Sequence, residues 1–533
     1  MSPDIAIALA VLTPLVVALG VGVLGRWPNS RDSFTIIGTL ITGYFVAQLV
    51  PVVMDGGRPE LMVLDVLPIA PLAFKIEPLG MLFAMVASGL WVPTSIYAMG
   101  YMRGHREVNQ TRFFVCFALA IFAALGIAFS ANLLTLFLFY EVLTFSTYPL
   151  VTHHGTEGAK KAGRIYLGIL VFTSVAFLLL GVIWTGHIAG TLDFQPGGIL
   201  EGKIGGWEAT LLLALFAYGT GKAALFPFHR WLPNAMVAPT PVSALLHAVA
   251  VVKAGVFTVL KVVIYIFGLD LLSDGGHADW LKWVATFTIV FASVVALTLD
   301  NLKARLAYST ISQLAYIVLG GALATSAGVL GGGMHIAMHA VGKITLFFCA
   351  GAIYVAAHKT LVSELNGLGR KMPITMGAFF LGSLSIIGLP PMGGAWSKWY
   401  LALGAAEGQD YIFVGVFMLS SLLSIGYLMP VVGRAFFLAP DDDGHEAHGD
   451  DGHGDDGHGD AGDGDEGAHA PHEEVPIRDP FDQHAQLLVA GNVREAPLMM
   501  VVPLALTAVG CIILFFFAQD LLALLEPIVS AGG

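Results

Sequence analysis

The stretch GKAALFPFHRWLPNAMVAPTPVSALLHAVAVVKAG, residues 221–255, decides the fold of this chain. It places Lys222 and Lys253 in otherwise apolar sequence, and glycine and proline interrupt the chain around the first of them. A charged residue at the centre of a membrane helix costs on the order of 2.5 to 3.5 kcal/mol, so a lysine at such a place indicates a function. The remaining sequence decides whether this stretch lies in a membrane.

The composition of the whole chain points to a membrane. Hydrophobic residues account for 56% of the 533 residues and charged residues for 12%, and the mean hydropathy is +0.77. A water-soluble core cannot bury so much apolar surface, so the composition predicts an integral membrane protein surrounded by lipid. Residues 441–474 contain 14 of the 38 acidic residues, which leaves the rest of the chain nearly neutral despite a formal net charge of −12. No nucleic-acid partner is expected.

Long apolar stretches predict membrane-spanning helices, because a bilayer core needs about 20 residues at helical rise. A lipid-exposed backbone must satisfy its own polar groups, so each stretch is expected to be helical and the fold class is all-α. About 14 helices are expected, numbered in chain order, over residues 4–26, 33–53, 77–99, 113–129, 131–151, 165–186, 208–228, 240–267, 280–299, 305–326, 329–356, 374–402, 410–436 and 498–525.

The lysines and arginines orient these helices, because cytoplasmic loops are enriched in positive charge. Loops after odd-numbered helices contain 17 of these residues, against 4 in loops after even-numbered helices. Both termini are therefore expected on the non-cytoplasmic side of a bacterial inner membrane. The acidic segment 441–474 is expected in the cytoplasm. Its composition is typical of a solvated linker, with loose binding of divalent metal by its six histidines and 14 acids as the alternative.

Two predicted helices carry helix breakers beside a lysine, and they occupy matching places in the chain. Helices 4–8 and 9–13 form two five-helix units, and Lys222 and Lys398 belong to the fourth helix of their unit. Units with an odd number of helices are inverted in the membrane, and matched broken helices are typical of transporters built from such repeats. Simple proline kinks are the alternative. The breakers are Gly219, Gly221 and Pro227 in helix 7 and Gly388, Pro390, Pro391, Gly393 and Gly394 in helix 12.

The predicted organisation follows from this count. Residues 1–112 contain helices 1 to 3, residues 113–267 the first repeat, and residues 280–436 the second repeat. Residues 437–497 hold the acidic loop and an ordered re-entry segment, and residues 498–533 hold the last helix.

Titratable residues inside the helices predict a proton relay, since a relay needs groups that are charged or neutral at similar cost. A desolvated lysine meets this need, a nearby carboxylate changes its proton affinity, and a histidine can pass a proton between its two ring nitrogens. The relay candidates are Glu141, Lys222, Lys253, His335, His339, Lys343 and Lys398. Supporting candidates are His247, Asp300 and Lys303.

Structural roles compete with this interpretation. Glu141 and Lys222 could form a static ion pair that fixes two helices together. His247, His335 and His339 could be core residues bonded to a carbonyl, although the last two share a helix face with Lys343 at four-residue spacing. Lys261, near the end of helix 8, is expected to extend its ammonium group to the membrane surface and is left out of the relay.

The sequence resembles the antiporter-like subunits that complex I, membrane-bound hydrogenases and Mrp-type cation/proton antiporters share. The resemblance covers about residues 70–435. It is carried by FYEVLT around Glu141, the long motif at 221–255, DNLKARLAYSTISQLAYI from Asp300, HAVGKITLFF from His339 and GLPPMGGAWSK ending at Lys398. It implies that Glu141 and Lys222 are a coupled pair, that Lys253 is the central relay lysine and that Lys398 is the terminal group. His335, His339 and Lys343 would form the relay of the second half.

Within that family the chain is most similar to the D subunit of an Mrp antiporter. A proton-translocating subunit of a multisubunit Na⁺/H⁺ antiporter is therefore expected, with other subunits, protons and Na⁺ as partners. A subunit of a quinone oxidoreductase, a membrane-bound hydrogenase or an inorganic-carbon-uptake complex is the alternative. The sequence has no Cys cluster, CxxCH motif or GxGxxG after a strand, so redox chemistry would belong to partner subunits. The chain is accordingly expected to be no enzyme itself and to hold no cofactor or metal.

Overall fold

The computed structural model describes residues 1–440 and 494–530. Its main helices are numbered to match the predicted ones. They are α1 Pro3–Val23, α2 Pro28–Met54, α3 Pro78–Gly104, α4 Gln110–Ala128, α5 Leu133–Val151, α6 Glu157–Ala189, α7 Gly206–Gly219, α8 Thr240–Phe267, α9 Asp279–Thr298, α10 Leu302–Ala322, α11 Ser326–Ala357, α12 in two halves Pro373–Ile387 and Gly394–Glu407, α13 Tyr411–Phe437 and α14 Leu498–Phe516.

Short elements connect them. Helices of four to eight residues cover Trp231–Asn234, Leu269–Asp274, Leu368–Lys371, Ala518–Leu525 and Pro527–Ser530. Single 3₁₀ turns cover Leu24–Arg26, Gly221–Ala223, Phe228–Arg230, Ala235–Val237 and Val362–Leu365. The acidic segment 441–474 and most of the predicted re-entry segment lie outside the described residues.

The predicted all-α membrane fold is confirmed. Within the described residues, 11 helices are long and apolar enough to cross a membrane. Three predicted stretches are absent from that set for physical reasons. Helix α7 and both halves of α12 are short because the chain breaks, and α10 is less apolar because it contains the run STISQ at 309–313.

One element departs from the all-α prediction. Residues Glu60–Leu67 (β1) and Ala70–Lys75 (β2) pair as an antiparallel hairpin between α2 and α3. The hairpin is anchored to the bundle because Ala131 N donates to Ala73 O and Lys75 N donates to Phe129 O. The two strands are too short to be predicted as spanning helices, so the prediction from long apolar stretches did not include them.

The predicted break in helix 7 is present and is held by close packing. Helix α7 ends at Gly219, a 3₁₀ turn follows, and Ala224 adopts a left-handed backbone with φ of 55°. Trp231 Nε1 donates to Gly221 O at 2.9 Å, and the same carbonyl accepts from Ala224 N at 3.0 Å. A Cβ at Gly255 of α8 would lie 2.4 Å from Ala223 N, so the glycine lets α8 pass directly against this turn.

The predicted break in helix 12 is also present. The first half of α12 ends at Gly388, whose φ of 91° suits glycine, and the second half begins at Gly394. A Cβ at Gly394 would lie 1.9 Å from Ser385 O, so a larger residue there would force the two halves apart. The N-terminus of α12 is fixed as well, since Glu495 Oε1 accepts from Ile374 N at 2.6 Å.

Helices α8 and α11 form the centre of the bundle. Every residue of the most apolar window of α8 is buried, and α11 runs unbroken for 32 residues. Helix α8 contains two π turns that the sequence did not predict, at Leu245–Val249 and Val263–Phe267. The first of these lies between the start of the helix and Lys253, and it contains His247.

Candidate functional site

The fold buries four of the predicted lysines in the apolar interior. Lys222, Lys253 and Lys343 have no exposed surface, and Lys398 is 9% exposed. Each ammonium group has a polar partner, which offsets part of the cost of burying it.

Lys222 is held by the fifth helix. Its Nζ donates to Tyr140 O at 2.9 Å and to Thr144 Oγ1 at 2.6 Å, and it lies 3.1 Å from the centre of the Tyr140 ring. The tyrosine also accepts from Lys222 N through its hydroxyl at 3.1 Å. The break after α7 therefore places Lys222 Nζ beside a hydroxyl, a carbonyl and an aromatic face.

Glu141 is half-buried and stands apart from Lys222. No ion pair joins the two residues in the described part of the chain, and Glu141 Oε1 is buried without a hydrogen-bond partner there. The static ion pair is therefore not the arrangement in this structure. The expectation that the two groups are coupled is left untested by the geometry.

Lys253 and His339 meet directly at the centre of the bundle. Lys253 Nζ lies 2.5 Å from His339 Nδ1, and both side chains are buried. A short contact between a lysine and an imidazole nitrogen is one across which a proton can be shared or passed. This contact connects α8, the last helix of the first predicted unit, to α11 of the second.

A file of polar side chains continues from His339 to Lys398. The rings of His339 and His335 stack with centroids 5.6 Å apart. His335 Nδ1 lies 2.9 Å from Ser397 Oγ, and its Nε2 lies 3.1 Å from Gln313 Oε1. Ser397 precedes Lys398 in the second half of α12. These contacts bring α10, α11 and α12 together through one stack of rings and two hydrogen bonds.

The file ends at the α12 break. Lys398 Nζ donates to Ile387 O at 3.1 Å, a carbonyl freed where the first half of the helix stops. It also donates to Ser421 Oγ of α13 at 3.0 Å and lies 4.9 Å from the centre of the Tyr316 ring. Lys398 thus repeats the environment of Lys222, with a hydroxyl, a carbonyl and a tyrosine face.

Lys343 begins a second line of hydrogen bonds, separate from the contacts of His335 and His339. Its Nζ donates to Ser309 Oγ at 2.6 Å and lies 3.3 Å from Leu306 O. Ser309 Oγ in turn donates to the Tyr427 hydroxyl at 3.0 Å, and that hydroxyl lies 2.8 Å from Ser424 Oγ. The third charge of α11 therefore joins a chain of hydroxyls that leads into α13.

The three supporting candidates lie in different surroundings. His247 is buried 4.7 Å from the Phe347 ring centre, and neither ring nitrogen has a hydrogen-bond partner in the described residues. Lys303 Nζ donates to Ala238 O at 2.7 Å, just before α8 begins. Asp300 lies on the surface, where its Oδ2 accepts from Ser363 Oγ at 2.6 Å, and this bond holds the pKa of Asp300 below its usual value. Asp300 therefore ties two loops together and touches none of the lysines.

The expectation that the Lys261 ammonium group extends to the membrane surface is wrong. Lys261 has no exposed surface and does not reach the membrane surface. Its Nζ donates to Ser130 O at 2.7 Å, lies 3.4 Å from Glu77 Oε2 and faces the Phe194 ring at 4.2 Å. Its aliphatic stem cannot carry the ammonium outward because loop residues and the base of α3 close over it.

The hydroxyl and amide partners of the relay candidates were not predicted, because a charge in an apolar helix is conspicuous in the sequence and an uncharged polar residue is not. These partners are Tyr140, Thr144, Ser309, Gln313, Ser397, Ser421 and Tyr427. The available signal was polar residues at helical spacing on apolar helices, as in STISQ of α10. No cluster able to hold a metal ion occurs among the described residues.

Comparison with known proteins places the chain in a family. The family model described as NADH:quinone oxidoreductase/Mrp antiporter, transmembrane, matches residues 130–424, more than half of the chain. The chain belongs to this family. The match includes every relay candidate from Glu141 to Lys398.

Relatives carry names from both branches of the family. Subunit N of NADH-quinone oxidoreductase from Desulforudis audaxviator is 33% identical over 378 residues, which cover 70% of this chain and 74% of that protein. A protein named for antiporter subunit mnhA2, from Staphylococcus haemolyticus, is 33% identical over 75% of this chain. The chain spans about half of this second relative, 52%.

Two solved structures share the fold along nearly the whole chain. A chain of the Mrp complex from Dietzia sp. DQ12-45-1b superposes with a TM-score of 0.78 at 21% identity, covering 98% of this chain and 97% of that one. A chain of the archaeal membrane-bound sulfane sulfur reductase gives 0.77 at 22% identity, covering 99% and 98%. At this identity the likeness shows the fold alone.

Proposed function

We propose that this chain is a proton-translocating subunit of a multisubunit membrane complex. The observation that carries the proposal is the buried line from Lys253 through His339 and His335 to Ser397 and Lys398. Such a line costs stability in an apolar interior and is useful only if charge moves along it. A purely structural bundle would be as stable with apolar residues at these places.

The chemistry of the line is proton exchange between neighbouring groups. A proton on Lys253 passes to His339, whose ring then offers its second nitrogen toward His335. From His335 the path reaches Ser397 and the next residue in the chain, Lys398, at the α12 break, where the freed carbonyl of Ile387 stabilises the charge. Lys222, at the matching break of the first repeat, is the counterpart group on the entry half, and Glu141 modulates its charge.

The complex that this subunit serves is proposed to be a Na⁺/H⁺ antiporter of the Mrp type. The resemblance of the motifs to the D subunit supports this assignment, as does the relative named for an antiporter subunit. The relative named subunit N favours a second candidate, a proton-pumping subunit of a quinone oxidoreductase. In either complex, redox or cation-driving chemistry would belong to partner subunits.

One experiment tests both proton translocation and the identity of the complex. The chain is purified with its native partners, reconstituted in proteoliposomes and assayed for proton flux driven by a Na⁺ gradient or by quinone reduction. Lys253→Ala should abolish flux, and Lys160→Ala, at an exposed lysine of the α6 start, should leave it normal. Normal flux in Lys253→Ala would refute proton translocation through this chain. The driving reaction and the identity of the co-purified subunits separate the two complexes.

A further inference from the structure

A second cluster of titratable side chains lies outside the membrane-spanning helices and outside the relay. Glu107 follows the end of α3, and its Oε1 lies 3.1 Å from His105 Nδ1 and 3.4 Å from His154 Nε2. His153 Nε2 lies 3.9 Å from Glu107 Oε2. Three imidazoles from two loops therefore converge on one carboxylate whose side chain is only 7% exposed.

His153 is the inner ring of the cluster. Its side chain is fully buried, and its Nε2 lies 3.9 Å from Glu107 Oε2, which is beyond hydrogen-bond distance. Arg112 Nη2 donates to His153 O at 2.8 Å and fixes the backbone that presents the ring.

The loop that carries Glu107 is held in place through its backbone. Gln110 Nε2 donates to Glu107 O and to Met102 O, both at 3.1 Å. Arg31 Nη2 donates to Gln110 Oε1 at 3.1 Å, which ties the loop to α2. These bonds fix the backbone from which the Glu107 side chain extends.

Two tyrosines lie between the cluster and the interior. Tyr97, Tyr101 and His105 lie at four-residue intervals on one face of α3, with ring centres 6.5 Å and 6.0 Å apart. The Tyr97 hydroxyl donates to Phe348 O of α11 at 2.8 Å, and a Cβ at Gly351 of α11 would lie 2.2 Å from that hydroxyl and 2.9 Å from Thr240 Cβ. The innermost tyrosine thus reaches the contact between α11 and the start of α8, the helix that carries Lys253.

The charges of the cluster suit temporary proton capture. Burial alone would raise the pKa of Glu107, but hydrogen bonds from His105 and His154 outweigh it and lower that pKa to about 2. Burial lowers the pKa of His153 to about 4, so this inner ring is neutral at physiological pH. The remaining charged groups that act on the cluster are Arg112 and Lys303. Glu107 therefore remains an anion at physiological pH, in contact with the His105 and His154 rings.

We propose that His105, Glu107, His153 and His154 form a proton-loading site, at the face that the loop charges assign to the cytoplasm. This inference rests on the proposed function. His105 or His154 takes a proton from bulk water or buffer, and Glu107 holds the resulting imidazolium. The ring then releases its N–H proton inward, along the side of α3 that carries Tyr101 and Tyr97, and returns to the neutral imidazole. No bond other than N–H and O–H bonds is made or broken.

The test is chemical rescue in the assembled complex. Proton flux is measured in proteoliposomes for Glu107→Gln and His105→Gln at low and at high concentration of a mobile buffer, MES, on the face that bears the cluster. Both variants should lose flux at least about tenfold at low buffer and recover most of it at high buffer, because the buffer replaces the missing proton donor. Glu157→Gln, at an exposed carboxylate of the α6 start, is the matched control and should behave as wild type.

Each other outcome overturns the loading site. Wild-type flux in Glu107→Gln at low buffer would show that protons enter elsewhere, while a dead Lys253→Ala in the same preparation would leave the proposed function standing. Flux lost in both variants and not restored by buffer, in complexes that assemble normally on native gels, would make Glu107 a structural tie. If wild-type complexes move no protons, the proposed function itself fails.

Discussion

Lys261 Nζ lies 3.4 Å from Glu77 Oε2, and this pair is buried between the base of α3 and the last turns of α8. Lys261→Ala should therefore be severely destabilising, because it leaves the Glu77 carboxylate buried without its counter-charge. Breaking such a pair costs about 3–5 kcal/mol. The loss should appear as reduced accumulation in membranes and a lower unfolding temperature in detergent.

The double variant Glu77→Gln/Lys261→Met serves as the control for that prediction. It removes both charges, so it should be more stable than Lys261→Ala alone. Equal accumulation of Lys261→Ala and wild type would mean that the pair contributes nothing.

Glu141→Gln should reduce proton flux and leave stability unchanged. The carboxylate is half-buried and makes no ion pair with Lys222 in the described structure, so no structural bond is lost. Flux and thermal unfolding are measured on the same preparation, with Glu208→Gln at an exposed position as control. A drop in unfolding temperature comparable to that of Lys261→Ala would assign Glu141 a structural role instead.

Lys398→Arg should cripple turnover nearly as much as Lys398→Ala. Arginine keeps the charge beside Ile387 O and Ser421 but does not release its proton during a cycle. Cation-driven proton flux in the assembled complex compares the two variants. Near-normal flux with arginine would leave Lys398 as a fixed counter-charge for the broken helix.

Gly255→Ala should disturb both halves of the relay at once. The added Cβ would lie 2.4 Å from Ala223 N and from Lys222 C, so α8 has to move away from the turn that carries Lys222. We expect loss of flux together with reduced stability. Gly377→Ala, on α12 where a Cβ meets no atom within 4 Å, is the matched control. Unchanged flux in Gly255→Ala would show that the two elements need no close contact.

Acidification should destabilise the protein in part through His153. Its pKa is lowered to about 4 by burial, whereas a histidine in the unfolded chain titrates near 6.5. Between these values the unfolded state binds more protons, so stability falls as pH falls from about 6.5 to about 4. Glu107 acts only at lower pH, since its contribution is lost as pH falls toward about 2. His153→Gln should flatten this part of the stability profile, and an identical profile in both proteins would contradict the assignment.

The sequence was sufficient for the parts of this molecule that depend on apolar length and on isolated charges. Long apolar runs predicted the helices, and the glycines and prolines beside Lys222 and Lys398 predicted where two of them break. The four-residue spacing on α11 predicted that His335 and His339 share a face. In each case the signal lies within one local segment.

The remaining features depend on contacts between distant segments. Nothing near Lys261 in the chain indicates that Glu77, on another helix, would neutralise it. Nothing in FYEVLT indicates that Lys222 would bond to Tyr140 and Thr144 rather than to Glu141. The imidazoles around Glu107 come from two loops about 50 residues apart in the sequence. The composition of these loops does not predict that they contact each other.

Helix α11 bears on how conduction through the centre can be controlled. It is unbroken over 32 residues, about 48 Å at helical rise, and His335, His339 and Lys343 all lie on it. The intervals between these three groups are therefore constant, whatever the surrounding helices do. On the proposed path, switching would occur by side-chain rotation, at the π turns of α8 or at the breaks in α7 and α12, where backbone torsions can change without disturbing α11. Helix α11 would then be the constant spacer of the path, and conformational control would belong to the irregular helices around it.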